Sequence, residues 1–229
     1  MDRRDELAAN LAAVRERIAA ACIAVGRSPS EVTLIAVTKT YPASDAAHLV
    51  ALGVPDIGEN RDQEAAPKAA AVPGARWHFI GQLQRNKAKS VVTYAHMVHS
   101  VDSVLLARTL AEQASRRREA PLEALVQVSL DEAPGRGGAA ADEFLTVAEA
   151  IAGSGALRLK GIMAVAPLGE DAQMAFARLE RYITLLRADH PDATVVSAGM
   201  SDDLVEAIAN GATHVRIGSA LLGKRQALR

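Results

Sequence analysis

Short apolar, β-branched runs alternate along this chain with longer stretches whose apolar residues fall at helical spacing. Over residues 5–25, Leu7, Leu11, Val14, Ile18 and Cys22 recur every three or four positions, with Arg15, Glu16 and Arg17 between them. Gly26 follows where such a helix would end. This predicts an amphipathic helix ahead of a first strand that begins at Thr33. Further strands are expected at 54–58, 76–80, 96–101, 122–130, 157–165, 193–197 and 213–217. The segments between them read as helices at 43–52, 62–71, 86–94, 103–118, 139–152, 170–187 and 199–210, with a short terminal helix from Ser219. A Gly-rich loop spans 131–138.

Strict βα alternation implies a parallel sheet, and eight units imply closure, so the expected fold class is α/β: one (β/α)8 TIM barrel with an extra N-terminal helix. The expected domain is single, over 1–229. A doubly wound open sheet is the alternative, but eight similar units leave no evident switch point.

Composition adds mainly exclusions. At 229 residues and 49% hydrophobic content, the chain can bury a sizeable core, as one α/β barrel or two small domains would. With 26 basic and 27 acidic side chains, no electrostatic footprint for nucleic acid or an anionic membrane stands out. Cys22 is the only cysteine, which excludes an intrachain disulfide and a cysteine-cluster metal site. The six histidines lack metal-ligand spacing, so no metal is expected. The charged amino terminus lacks the apolar core of a signal peptide, and no window approaches a membrane span. A cytoplasmic protein is expected, monomeric, with a dimer as the alternative.

Candidate chemistry collects where a barrel keeps it, at the carboxyl ends of the strands. The run Thr33-Leu34-Ile35-Ala36-Val37-Thr38-Lys39-Thr40-Tyr41-Pro42 carries an apolar strand into a lysine and then a proline. A strand-end ammonium is costly unless exposed, paired or used, and burial frees the amine to act as a Schiff-base nucleophile. The alternative is a lysine that only snorkels outward. After strands seven and eight, Gly199-Met200-Ser201 and Ile217-Gly218-Ser219 each place a glycine and a hydroxyl where a helix is expected to start. Such positions suit a phosphate monoester, and they equally suit ordinary serine capping. Glu59 is a weaker candidate, as a general base or as a tie between loops. His78, inside an aromatic strand, is expected to be a core histidine with one nitrogen satisfied.

Several strings are specific enough to identify a family. Ala36-Val37-Thr38-Lys39-Thr40, Gly58-Glu59-Asn60, Trp77-His78-Phe79-Ile80-Gly81-Gln82-Leu83-Gln84-Arg85-Asn86-Lys87, Ser197-Ala198-Gly199-Met200-Ser201-Asp202-Asp203 and Val215-Arg216-Ile217-Gly218-Ser219 resemble the pyridoxal phosphate homeostasis proteins. This is the YggS/PROSC family, also called the PLP-binding protein family. The likeness runs from the first helix to the last, in order. It implies an alanine racemase N-terminal-like barrel that holds pyridoxal 5′-phosphate (PLP) as a Schiff base. Matched residue by residue, it implies Lys39 as the Schiff-base lysine and Ser201, Gly218 and Ser219 as the phosphate-binding positions. It further implies Arg216 as the arginine facing the pyridine nitrogen, and Asn60 and Met200 as positions lining the cofactor. Gln82 stands where proline is frequent in the family and Arg85 where serine is frequent, and the 131–138 loop is shorter and more Gly-rich than usual.

The resemblance implies a role in intracellular PLP homeostasis, with PLP-dependent apoenzymes as partners and no catalytic residue. A PLP-dependent amino-acid racemase is the second reading, and a PLP-free Schiff-base aldolase a weaker third. Racemisation needs an acid/base on each face of the cofactor. Tyr41 is the candidate partner for Lys39, no second base is otherwise evident, and the sequence stops directly after the eighth unit.

Overall fold

The computed structural model describes residues 2–131 and 137–223. Helix α1 (Arg3–Ala24) precedes β1 (Thr33–Val37), α2 (Ala43–Ala51), β2 (Asp56–Glu59), α3 (Asp62–Ala71), β3 (Arg76–Phe79), α4 (Ala88–Tyr94) and β4 (Ala95–Val101). Then come α5 (Val104–Ser115), β5 (Leu122–Gln127), α6 (Phe144–Ala152), β6 (Leu157–Met163), α7 (Ala172–Asp189), β7 (Val195–Ser197), α8 (Leu204–Ala209), β8 (His214–Ile217) and α9 (Ser219–Leu222). The strands pair in parallel in sequence order and close into a barrel, β8 meeting β1 through Thr33↔His214 to Ala36↔Ile217. The fold is the (β/α)8 TIM barrel expected from the alternation, with α1 as the extra helix.

Alternation along each strand sorts side chains to two faces. Ala36, Ile57, Trp77, Val215 and Ile217 pack outward with Leu7, Leu11, Val14 and Ile18 of α1. On the far side Val98, Val126, Ile162 and Val196 pack outward with Phe144 of α6 and Phe176 of α7, both almost fully buried. Met97, Leu125, Met163 and Val195 form a separate apolar cluster.

Helix α1 is capped by Asp2, which accepts from Asp5 N at 2.9 Å. It clasps the end of the barrel. Arg3 donates to Asp45 at 2.6 Å and to the Leu222 carbonyl at 3.0 Å, and Asn10 to the Leu221 carbonyl at 3.0 Å. Arg17 reaches the Ser201 carbonyl at 2.9 Å, and Arg27 reaches those of Ile208 and Ala212, also at 2.9 Å. These bonds satisfy carbonyls that short helices and loops leave open.

Two expected helix starts are corrected. The alanines from Ala139 do not open a helix, because Ala139 N donates to Gln127 O at 2.8 Å and Ala139 O accepts from Ser129 N at 3.0 Å. That extended pairing delays α6 to Phe144 and overrides alanine's propensity. Gly138 permits the approach: its φ is +131°, and a Cβ there would lie 2.5 Å from Ser129 N. Of the Gly-rich loop, residues 132–136 lie outside the described residues. Ser201 does not open a helix either, since Met200 N is taken by the Asp203 carboxylate at 2.5 Å and α8 begins only at Leu204.

Candidate functional site

Because Ile35 and Val37 point into the barrel beside Gly58, the alternation carries Lys39 to the inner side two residues beyond β1, in the turn that follows it. The turn is held from the outside. Thr38 Oγ1 donates to Glu59 Oε1 at 2.6 Å, and Lys68 Nζ donates to the same oxygen at 2.7 Å and to the Thr38 carbonyl at 2.9 Å. Thr40 has a φ of +70°, which is costly for a β-branched residue. Its N–H is secured by Glu64 Oε2 at 2.8 Å. Glu59 is thus a tie between β1, β2 and α3. Burial pushes its carboxyl up, against the pull of Lys68 and Thr38.

Opposite this turn lies the seam between β7 and β8. Gly199 turns the chain with a φ of +88°, and a Cβ there would fall 2.6 Å from Ala207 Cβ. Its carbonyl accepts from Arg216 N at 2.9 Å. The turn sets Ser201 Oγ 3.1 Å from Ser219 Oγ and 3.3 Å from Ala220 N. Two hydroxyls and the first turn of α9 therefore share one corner. At Gly218 an added Cβ would come within 3.6 Å of Val37, filling the floor between the two loops.

These loops enclose a cavity of about 500 Å³. Six of the seven expected residues line it: Lys39, Met200, Ser201, Arg216, Gly218 and Ser219. Asn60 instead lines a neighbouring cavity of about 670 Å³ with Gln82 and Gln84, its backbone lying against Gly81.

Arg216 rises from inside the barrel, 4% exposed, with Nη1 donating to Ser197 Oγ at 2.7 Å and Nη2 to the Ala164 carbonyl at 2.9 Å. Burial lowers its pKa to about 10, partly offset by Asp203, so it stays cationic at neutral pH. The sequence did not point to Val37 or Ile80 as cavity walls, and Tyr41, the candidate partner for Lys39, lines the cavity with them. Tyr41 donates to the Gly223 carbonyl at 2.8 Å and carries the Arg3 guanidinium 5.6 Å above its ring. His78 has both nitrogens engaged, not one, by Asp56 and His99.

A primary amine, a paired-hydroxyl corner and a buried guanidinium around one half-open cavity suit a phosphorylated aromatic aldehyde. The amine can condense with the aldehyde, the hydroxyl corner can receive the phosphate, and the guanidinium can meet a ring acceptor.

The family described as alanine racemase, N-terminal domain, matches residues 3–226. A pyridoxal phosphate homeostasis protein of Mycobacterium leprae is 41% identical, covering 97% of this chain and 94% of that protein. PipY of Synechococcus elongatus, solved with PLP bound, superposes with a TM-score of 0.80 at 34% identity, over 95% of this chain and all of PipY. The alanine racemase of Corynebacterium glutamicum shares the fold, with a TM-score of 0.71 at 16% identity, over 99% of this chain and 64% of that one.

Proposed function

The chain belongs to the alanine racemase N-terminal domain family and to the pyridoxal phosphate homeostasis proteins, and from that premise we propose that it binds PLP covalently through Lys39 and buffers it without turnover. The observation that carries this reading is the convergence of Lys39, Ser201, Ser219 and Arg216 on one cavity. When bound, PLP would supply an aldehyde for condensation with a primary amine, water being released. Lys39 Nζ is the nucleophile, and the backbone turn that carries it is fixed by the Thr38, Glu59, Lys68 and Glu64 bonds. Ser201 and Ser219 would hold the phosphate, with Gly218 leaving room for it at the backbone. Arg216 would meet the ring nitrogen. A cationic arginine there would disfavour protonation of that nitrogen and so weaken the electron sink; an arginine is compatible with racemases too, and the missing opposite base carries the rest of the argument. Met200 would line the cofactor within this cavity, and Asn60 lies in the adjacent one.

Two-base racemisation is further disfavoured by the neighbours of Lys39. The Tyr41 hydroxyl is committed to Gly223, Glu59 is turned toward Lys68, and Asp202 is exposed at the rim. The proposal is of a single barrel domain acting as a monomer. We extend the proposal to release of PLP to PLP-dependent apoenzymes in the cytoplasm, because a Schiff base reverses with water or an incoming amine.

Borohydride reduction followed by peptide mapping tests the attachment. A pyridoxyl adduct is expected on Lys39, and an adduct on Lys87 with Lys39 unmodified overturns it. Exchange of α-hydrogen in deuterated water, over L- and D-amino acids with Lys39→Ala as the blank, tests the absence of turnover. Lys39-dependent exchange with inversion installs the racemase reading instead.

A further inference from the structure

Beneath the cavity floor, four buried side chains run in single file through the barrel interior, from Arg216 toward the amino-terminal ends of β2 and β3. Ser197 Oγ, which accepts from Arg216 Nη1, lies 2.9 Å from His99 Nδ1. His99 Nε2 lies 2.9 Å from His78 Nδ1, and His78 Nε2 lies 2.9 Å from Asp56 Oδ1. The Asp56 carboxylate also accepts from Arg76, at 2.8 and 2.5 Å. Ser197 and His99 are fully buried, and His78 and Asp56 are 2% and 5% exposed. Four polar residues inside a barrel are expensive unless each hydrogen finds an acceptor.

The two ends decide how the hydrogens are arranged. A guanidinium only donates, and an ionised carboxylate only accepts. Asp56 is ionised: burial opposes its charge, but the His78 and Arg76 bonds prevail and lower its pKa to about 2. His78 therefore donates from Nε2 and, when neutral, accepts at Nδ1. His99 then donates from Nε2 and accepts at Nδ1, and Ser197 donates to it while accepting from Arg216. If His78 were cationic, His99 would turn its hydrogen toward Ser197, leaving the buried serine hydroxyl hydrogen with no acceptor among the bonds it makes here. Burial likewise keeps His99 neutral, its pKa held well below the ordinary histidine value. All the hydrogens therefore point one way, from Arg216 to Asp56.

We propose that Ser197, His99, His78 and Asp56 are positioning residues for the cofactor: a one-directional hydrogen-bond relay that fixes the plane of the Arg216 guanidinium at the cavity wall. The relay rests on the PLP reading for its purpose but not for its existence. Ser197 and the Ala164 carbonyl anchor the two terminal nitrogens, so the plane of the fork is set from below and does not depend on the cofactor. Each link is polarised by the next.

Nitrogen-15 histidine NMR of the cofactor-free protein at neutral pH tests the relay independently of PLP. Both His78 and His99 are expected as neutral Nε2–H tautomers with slowly exchanging hydrogens. An Nδ1–H His99 or a cationic His78 overturns the directionality and with it the proposal. The second arm measures PLP release and the visible absorption of the loaded protein. Ser197→Ala is expected to speed release about tenfold, as loss of one bond to a charged group would, and to shift the absorption band. Ser197→Thr, which keeps the hydroxyl, is expected to restore both. Wild-type release and spectrum in Ser197→Ala overturn the positioning role even if the tautomers are as expected. A wild-type protein that takes up no PLP overturns the proposed function and leaves the NMR result standing.

Discussion

The two sides of the barrel interior are built on different principles. From β8 to β2 and β3, the inner positions include Arg216, Asp56 and His78, whose places are set by named hydrogen bonds, and the turn after β1 that carries Lys39 is held by bonds to Thr38 and Thr40. From β5 to β7 the inner positions include Leu125, Met163 and Val195, which with Met97 of β4 hold each other by packing, and Ser197 at the end of β7, with His99 of β4, is where the bonded set crosses to this side. Both sides are well buried, so burial does not distinguish them. What differs is directionality. A packed cluster fixes volume, whereas a bonded set fixes the orientation of individual groups, which is what a cofactor site requires.

The contrast can be tested by damaging each side separately. Leu125→Ala should cost about 2–5 kcal/mol of stability in denaturant unfolding, because it leaves a cavity in the packed cluster. PLP affinity of the folded variant should stay close to wild type, and a large loss would mean that the apolar side also orients the site. The complementary damage is Ser201→Ala or Ser219→Ala. Each should remove roughly 1.5–3 kcal/mol of cofactor binding, about ten- to a hundredfold in affinity by fluorescence titration, with little change in the unfolding midpoint.

Acid sharpens the contrast further, because only the bonded side titrates. The folded pKa of Asp56 is lowered to about 2 from the ordinary value. Its stabilisation is therefore fully present above about pH 4 and lost as pH falls through 2, a total of about 2 kcal/mol. Asp56→Asn should flatten that part of the stability profile, measured by unfolding between pH 2 and 5. The smallest effect is expected at Thr40, whose φ of +70° suits glycine. Thr40→Gly should change stability by less than about 1 kcal/mol, since relieved strain is offset by a more flexible unfolded chain. The Glu64 bond is to the Thr40 backbone N–H, so Lys39 should keep its reactivity toward PLP.

The sequence made the packed side more legible than the bonded one. Apolar runs and helical spacing locate all eight strands and the helices between them, because burial of one face is a local signal repeated along the chain. Lys39, Ser201, Gly218 and Ser219 were also legible, since strand-end positions in a barrel converge by topology. The relay was not. His78, His99 and Ser197 lie on three different strands, and their pairing depends on barrel register, including the shift between Trp77 and His78 in the β3–β4 ladder. Asn60 was placed by a string match, and the chain turns it into the neighbouring cavity. The late starts of α6 and α8 were hidden for a related reason. Alanine at 139 and serine at 201 favour a helix or its cap locally, but backbone pairing with β5 and the Asp203 carboxylate claim those backbone groups first.

The clasp made by α1 sets the order in which a growing chain can become competent. Arg3, Asn10 and Arg17 emerge early from a ribosome, yet their partners at Leu222, Leu221 and Ser201 follow 219, 211 and 184 residues later. Contacts of such long sequence separation form late, after nearer ones have condensed. For most of its synthesis the chain therefore carries Lys39 without the hydroxyl corner that would receive a phosphate. A reactive aldehyde met during that interval finds an amine but no cradle, and selective capture of the cofactor waits until the last strand has closed the ring.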